Sequence, residues 1–150
     1  MCSNSCKQWF HLISSLIGVF LGAAAFVTFF CVYKNLDAGF WGFLSGMFAL
    51  VCLHLHFLHL RQQLESWHSV DTLGSMKVLG VVGALVGSAG CIWYIFISLY
   101  HHISVLPVDT SMYIAAVWTF MTAKWGLLLF SYCRMYERIL LGGNPPFISI

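Results

Sequence analysis

Three histidines lie within one otherwise apolar stretch of the chain, residues 51–61, which reads VCLHLHFLHLR. They are His54, His56 and His59. With the residues before it, the stretch is long enough to cross a bilayer, and an ionisable side chain inside a membrane segment is a candidate functional residue. A neutral imidazole binds iron, copper or zinc well, and one or two of them can hold the iron of a haem. The stretch therefore predicts a ligand site.

Helical spacing places the three histidines on two different faces of the predicted helix. On a helix, Cys52, His56 and His59 share one face at steps of four and three residues. His54 points elsewhere. In the alternative interpretation two of the three, His54 and His59, are interfacial residues bonded to backbone or water. Otherwise His59 assists His56 from the same face of the helix. If the helix begins at Gly39, His56 lies about 25 Å along it, near one membrane face, whereas a later start brings it closer to the centre.

The composition identifies an integral membrane protein. Of the 150 residues, 60% are hydrophobic and 8% are charged, which is too little polar surface to cover a water-soluble globule. The lipid bilayer is therefore a predicted partner. The net charge of +2 is too small to indicate a nucleic-acid partner.

Four apolar runs have the length of about 20 residues that a spanning helix needs. They cover residues 12–33, 39–60, 78–100 and 112–133. Short connections make helices 1 and 2, and helices 3 and 4, antiparallel neighbours, and glycines at helical spacing indicate close packing. The predicted fold is all-α, an integral membrane four-helix bundle. We expect residues 1–150 to form a single transmembrane domain with a cytosolic tail, residues 134–150.

Basic residues predict the orientation, because loops rich in lysine and arginine stay in the cytosol. Five of them flank the predicted helices on one side of the membrane: Lys7, Arg61, Lys77, Arg134 and Arg138. The other side has only Lys34. Both termini are therefore expected in the cytosol. His101 and His102, in the third loop, are expected on the luminal or outer side, where they could capture a metal centre.

Lys124 lies near the middle of the fourth predicted helix, and none of the four predicted helices contains an acidic residue to neutralise it. Such a lysine loses its proton, faces a polar cavity, or meets an anionic ligand. Backbone carbonyls or a tyrosine hydroxyl could also serve as its partners. A negatively charged substrate suits it better than either.

The end of the fourth helix carries Tyr132, Arg134 and Tyr136. These residues could anchor the helix at the headgroups, or present a stacking surface and a cation to a planar anionic ligand. Residues 136–139 also match a sorting signal formed by a tyrosine, two variable residues and a bulky apolar residue, here Tyr136 and Ile139. We therefore expect a sorting adaptor to bind the cytosolic tail. The same signal favours an endosomal or lysosomal membrane over the plasma membrane.

Several of these pieces together resemble the heme-responsive-gene family of small haem transporters. They are VYK at residues 32–34, GFLSGMFAL at residues 42–50, His56, a histidine at position 101 or 102, VWTFMTAKW at residues 117–125, and YCRMY at residues 132–136. The last block resembles the family's aromatic-alanine-arginine-lysine-tyrosine motif, from which it departs at Cys133 and Met135. The resemblance covers about residues 30–138.

The resemblance implies a transporter that moves haem, as its substrate, from the lumen or exterior into the cytosol. It implies that His56 binds the haem iron within the membrane, that His101 or His102 captures haem, and that residues 132–136 form the exit. Lys124 would supply a cation for the haem carboxylates. Four helices are few to enclose a molecule as large as haem, so we expect a homo-oligomer.

Other functions compete with transport. A membrane b-type cytochrome would hold haem between paired histidines on facing helices, yet helices 1, 3 and 4 have none in their apolar interiors, and His11 lies at the start of helix 1. A non-transporting four-helix scaffold is a second alternative. A zinc or copper transporter is disfavoured by the lack of membrane carboxylates. An enzyme is not expected, because no nucleophile, base and orienting group occur together.

Overall fold

The chain folds into helices, as seen in a computed structural model that describes residues 2–142, without the side chains of residues 2–5 and 7. The helices are α1 (Cys2–Ala25), which continues as a π-helical segment (Phe26–Val32), α2 (Leu36–Leu60), α3 (Leu64–Trp67), α4 (Val70–Tyr100) and α5 (Met112–Leu140). Four helices within the described residues are long and apolar enough to span a membrane: α1 with its π-helical segment, α2, α4 and α5. The predicted all-α membrane fold is confirmed. The side chain of Lys7, and the part of the predicted tail beyond Gly142, lie outside the described residues.

The helices extend further than the apolar runs. The first begins at Cys2 rather than at residue 12, the third at Val70 rather than at residue 78, and the fourth continues to Leu140. Hydropathy marks the part of a helix that lies in hydrocarbon, whereas the polar turns at its ends continue the same backbone hydrogen bonding. At 1.5 Å per residue α4 is roughly 45 Å long, which exceeds the hydrocarbon thickness of about 30 Å.

The long helices α2 and α5 pack against each other at the centre, with α1 against α2 and α4 against α5. Glycines make these contacts close. A Cβ added at Gly22 of α1 would lie 2.4 Å from Cα of Gly46 in α2, and one added at Gly126 of α5 would lie 2.6 Å from the backbone nitrogen of Ala84. Helix α1 meets α5 differently, since Gly18 faces the side chain of Trp125.

Polar contacts join the helices at both ends of the bundle. Asn35 accepts a hydrogen bond from the N–H of Ala38 at the start of α2, and its amide donates to the carbonyls of Val108 and Ser111 at 2.9 and 3.1 Å. We call this the Asn35 end. At the opposite end, which we call the His56 end, Lys77 of α4 and Glu137 of α5 form an ion pair at 2.5 Å.

The glycine contacts predict a difference between two alanine substitutions. In Gly22→Ala the new methyl group meets backbone atoms of α2, so we expect overpacking to reduce stability by about 1–3 kcal/mol. Gly74 is the matched control, because a Cβ there meets nothing within 4 Å. Alanine should be neutral or slightly stabilising at that position. Thermal unfolding in detergent measures both, and equal melting temperatures would contradict the close α1–α2 contact.

Candidate functional site

His56 has two ring nitrogens in different environments. The side chain is 5% exposed, and its Nδ1 lies 2.8 Å from the hydroxyl oxygen of Tyr136. Its Nε2 is equally buried but has no hydrogen-bond partner within residues 2–142. Buried polar atoms are nearly always paired, so an unpaired nitrogen whose ring is held by the other nitrogen indicates a ligand position.

The central helix pair brings these two residues together. His56 lies four residues before the end of α2, and Tyr136 lies four residues before the end of α5. Both helices end on the same side of the bundle, so the two side chains lie at one level. Cys52 and Cys133 are completely buried beside them in the same apolar core. The hydrogen bond between His56 and Tyr136 therefore forms in a setting from which other side chains exclude water.

A second histidine lies against the first. The ring of His11, from α1, is nearly parallel to that of His56, with an interplanar angle of 15° and 5.7 Å between ring centres. Nδ1 of His11 lies 2.9 Å from the hydroxyl of Tyr132. The Tyr132 ring stands edge-on to His56 with 4.3 Å between centres. Two histidine–tyrosine pairs thus lie side by side.

His59 joins the same group at its edge. Its ring lies 4.8 Å from that of Tyr136, and its Nε2 lies 3.3 Å from Nε2 of Gln8 in α1. The predicted common face of the two histidines on α2 is therefore present in the structure. We call the group His11, His56, His59, Tyr132 and Tyr136 the histidine–tyrosine cluster.

His54 points away from the cluster, as its spacing predicted. It is exposed, and its ring lies 5.5 Å from His68 and 6.2 Å from Trp67. His68 lies in the connection between α3 and α4. Burial lowers the pKa of His68, and the nearby His54 lowers it as well. This pair is separate from the cluster because it lies on the other face of α2.

Lys124 borders an open groove of about 290 Å³ between α1 and α5. The lysine is exposed, and its Nζ lies 5.1 Å from the ring centre of Trp125. Phe10 also lines the groove, and its ring contacts that of His11 with 6.0 Å between centres. The groove therefore extends from Lys124 to Phe10, which lies beside the histidine–tyrosine cluster.

The predicted exit motif divides between two sides of α5. Tyr132 and Tyr136 are 9% and 1% exposed and point inward, whereas Arg134 is exposed. Residues two apart on a helix project in widely different directions, so these three side chains do not form one surface. Tyr136 and Ile139 both lie within α5, and in this conformation the buried tyrosine is not accessible to a sorting adaptor.

The third-loop histidines lie at the Asn35 end. His101 and His102 are both exposed, and the ring of His101 contacts that of Tyr100 with 5.0 Å between centres. From Met112, at the Asn35 end of α5, to Tyr132 the helix rises about 30 Å at 1.5 Å per residue. These histidines and His56 therefore cannot bind one haem iron together.

Two histidines lie near the ends of their membrane-spanning helices, and for His56 this agrees with the first of the two depths that the sequence allows. The chain leaves α2 at Leu60 and turns at Gln62, whose φ is 54°, so His56 lies near the end of the helix and not at the centre. His11 lies near the start of the membrane-spanning part of α1, which begins at Gln8, as the sequence predicts. His11 lies 23 residues before Lys34, and His56 lies 22 residues after Lys34. In an antiparallel hairpin, residues at nearly equal distances from the turn lie at the same level.

Comparison with known proteins gives one consistent result. Residues 75–125 match a family described as haem transporter, endosomal/lysosomal, haem-responsive gene. The chain is 31% identical to heme transporter hrg-1 of Caenorhabditis elegans over 164 residues, which cover 98% of this chain and 82% of the relative. The chain belongs to this haem-transporter family. No solved structure matches it.

Membership of the family confirms several expectations. The predicted family is correct, and it is a family of transporters and not of enzymes. Its endosomal/lysosomal description agrees with the favoured location of this integral membrane protein. The family match covers the positions of Lys124, His101 and His102, and the similarity to hrg-1 extends over 98% of the chain.

The hydrogen bond of His56 predicts the effect of Tyr136→Phe. The change removes the hydroxyl and leaves Nδ1 of a buried imidazole unpaired, so we expect a loss of about 1–3 kcal/mol of stability. Tyr100→Phe is the control, because that tyrosine is 70% exposed. Melting temperatures in detergent compare the two variants. A Tyr136→Phe protein as stable as wild type would show that this bond contributes nothing to the fold.

Proposed function

We propose that this chain carries haem from the lumen of an endosome or lysosome into the cytosol, with His56 as the ligand for the haem iron within the membrane. The observation that supports this most directly is the buried, unpaired Nε2 of His56. With both termini in the cytosol, as the basic residues predict, the His56 end is the cytosolic end. His56 then binds haem late in its passage.

Tyr136 gives His56 the tautomer that iron requires. When Nδ1–H donates to the tyrosine oxygen, the lone pair of Nε2 is available to a metal, and the hydrogen bond fixes the ring orientation. Iron binding would satisfy the one polar atom of His56 that lacks a partner within the described residues. Tyr136 therefore acts by positioning His56, and does not form a later station on the path of haem.

Lys124 would bind the two carboxylates of haem. Lys124 and Tyr132 are eight residues apart on α5, which is about 12 Å along the helix axis. A haem whose iron lies at the cluster could direct its carboxylates along the groove towards the lysine. A cation facing lipid is costly, so neutralisation by a carboxylate would favour the loaded state.

His101 and His102 would capture haem at the Asn35 end, on the luminal side. Since about 30 Å separates this end from the cluster, haem must pass from one site to the other and not bridge them. Arg134 would act at the headgroups, where it could attract the carboxylates of departing haem. A homo-oligomer would complete the wall around the path, and a sorting adaptor would need Tyr136 to leave its buried position.

Retention of haem for electron transfer is the second candidate function. It is favoured by the position of His11 beside His56, because a b-type cytochrome needs two histidines from different helices at one level. Haem that remains on the purified protein through extensive washing would favour this function. Haem that exchanges readily with an acceptor in solution favours transport.

The proposal predicts that His56→Ala removes most of the Soret shift when haemin is titrated into the detergent-purified protein, because the iron loses its buried ligand and the exposed His101 and His102 bind it more weakly. His54→Ala is the control, since His54 is exposed and lies on another face of α2. The double variant His101→Ala with His102→Ala should keep the Soret shift but reduce haem-dependent growth of a haem-requiring cell. Unchanged affinity in His56→Ala would contradict the proposed ligand.

The groove predicts a role for charge at position 124. Lys124→Met retains a long side chain but removes the cation, and we expect the Kd for haemin to rise about tenfold, the equivalent of 1.4 kcal/mol. Lys124→Arg keeps the charge and should bind nearly as tightly as wild type. A porphyrin whose carboxylates are esterified should bind wild type and Lys124→Met equally. If both substitutions weaken binding equally, the packing of the side chain matters and its charge does not.

A further inference from the structure

The groove between α1 and α5 is bordered on its α5 side by side chains of several chemical types. They are Trp118, Met121, Lys124 and Trp125. Lys124 and Trp125 follow Met121 by three and four residues, so the three share one face of the helix. Trp118 precedes Met121 by three residues and lies on the same face. One face of α5 therefore presents two indole rings, a thioether and a cation to a single groove.

The groove has room for the edge of a flat molecule because small residues of α1 face α5. A Cβ added at Gly18 would lie 2.2 Å from Cζ2 of Trp125, so the glycine lets the indole ring lie between the two helices. Trp125 is 4% exposed and forms the inner wall of the groove. Ser14, one turn before Gly18, also lines it. Because the groove is open on its outer side, a plate larger than its volume can insert one edge while the other stays in the bilayer.

Haem needs three things of a binding site, and the groove supplies each of them. Aromatic side chains pack on the porphyrin plate, a cation neutralises its carboxylates, and an axial ligand binds its iron. Trp118 and Trp125 supply the rings, and Lys124 supplies the cation. Among the described residues that line the groove there is no histidine, cysteine or tyrosine, which leaves the sulfur of Met121 as the atom that suits iron. Methionine is an axial ligand of haem in cytochromes c.

The position of Met121 along α5 divides the path across the membrane. From Met112, at the Asn35 end, to Met121 the helix rises about 14 Å, and from Met121 to Tyr132 it rises about 17 Å. Lys124 lies about 5 Å beyond Met121 in the direction of the histidine–tyrosine cluster. The thioether therefore lies roughly halfway between the two ends of the bundle.

We propose that the groove between α1 and α5 binds haem midway across the membrane, with Met121 as the ligand of the iron and Lys124 as the partner of a carboxylate. This inference rests on the proposed function and adds a station between the third-loop histidines and His56. Axial methionine is a weak, long ligand, so haem held by Met121 would pass on to the imidazole of His56. Because Lys124 lies on the His56 side of Met121, it could keep its carboxylate during this transfer.

The direct test removes the competing histidines from the full-length protein, purified in detergent. In a variant with His56, His101 and His102 all replaced by alanine, we expect weak haemin binding with the far-red charge-transfer absorption of an iron–methionine bond. Adding Met121→Leu, which nearly conserves volume, should remove that absorption and raise the Kd for haemin about tenfold. Adding Met47→Leu instead should change neither, because Met47 is 43% exposed on α2 and does not line the groove.

A second pair of variants keeps the test informative if the triple alanine variant fails to fold. Met121→His in the otherwise wild-type protein places a stronger iron ligand in the groove. It should slow the transfer of haemin to a haem-scavenging apoprotein about tenfold. Met47→His adds a histidine at the same distance from the midplane only on an exposed face of α2, and it should transfer haemin at the wild-type rate.

The possible failures are distinguishable. If Met121→Leu leaves the absorption and the affinity unchanged, or Met121→His transfers haemin as fast as Met47→His, the groove holds only lipid chains. The inference is then wrong, while His56 remains the proposed ligand. Wild-type protein that binds no haemin, or that binds it unchanged after His56→Ala, would overturn the proposed function itself.

Discussion

The hydrogen bond between His56 and Tyr136 is the interaction on which the proposed site depends. In an apolar interior a polar group without a partner is costly, so the bond determines how the imidazole is oriented. It forms because α2 and α5 pack together and end on the same side of the bundle. The same bond leaves Nε2 as the nitrogen that a ligand can use, and under the proposed function this nitrogen would bind the haem iron.

The helices do not all pack equally closely, and this is important for a protein that transports a molecule as large as haem. Glycines bring α1 to α2 and α4 to α5 at backbone distance, because a Cβ at Gly22 or Gly126 would overlap the neighbouring helix. Large side chains separate α1 from α5. Such contacts rearrange more readily than close backbone contacts, and the groove beside Lys124 lies between these two helices.

The two ends of the bundle have different chemistry. At the Asn35 end, an asparagine ties the first and third loops together while His101 and His102 remain exposed. At the His56 end, the histidines of α1 and α2 are enclosed with two tyrosines. An exposed histidine exchanges its ligand readily with water, whereas an enclosed one holds its ligand away from water. Under the proposed function, the Asn35 end would therefore capture haem and the His56 end would release it.

The sequence by itself determined the four apolar helices, the placement of His56 and His54 on different faces of α2, and the family, because length, hydropathy, helical spacing and local motifs are properties of single segments. Only the tertiary structure brought His11 to His56, buried Tyr132 and Tyr136, and left Arg134 outside. The physical reason is that lipid is as apolar as the protein interior, so hydrophobic periodicity does not reveal which face of a membrane helix meets its neighbour. The rotation and register of packed helices decide those partnerships.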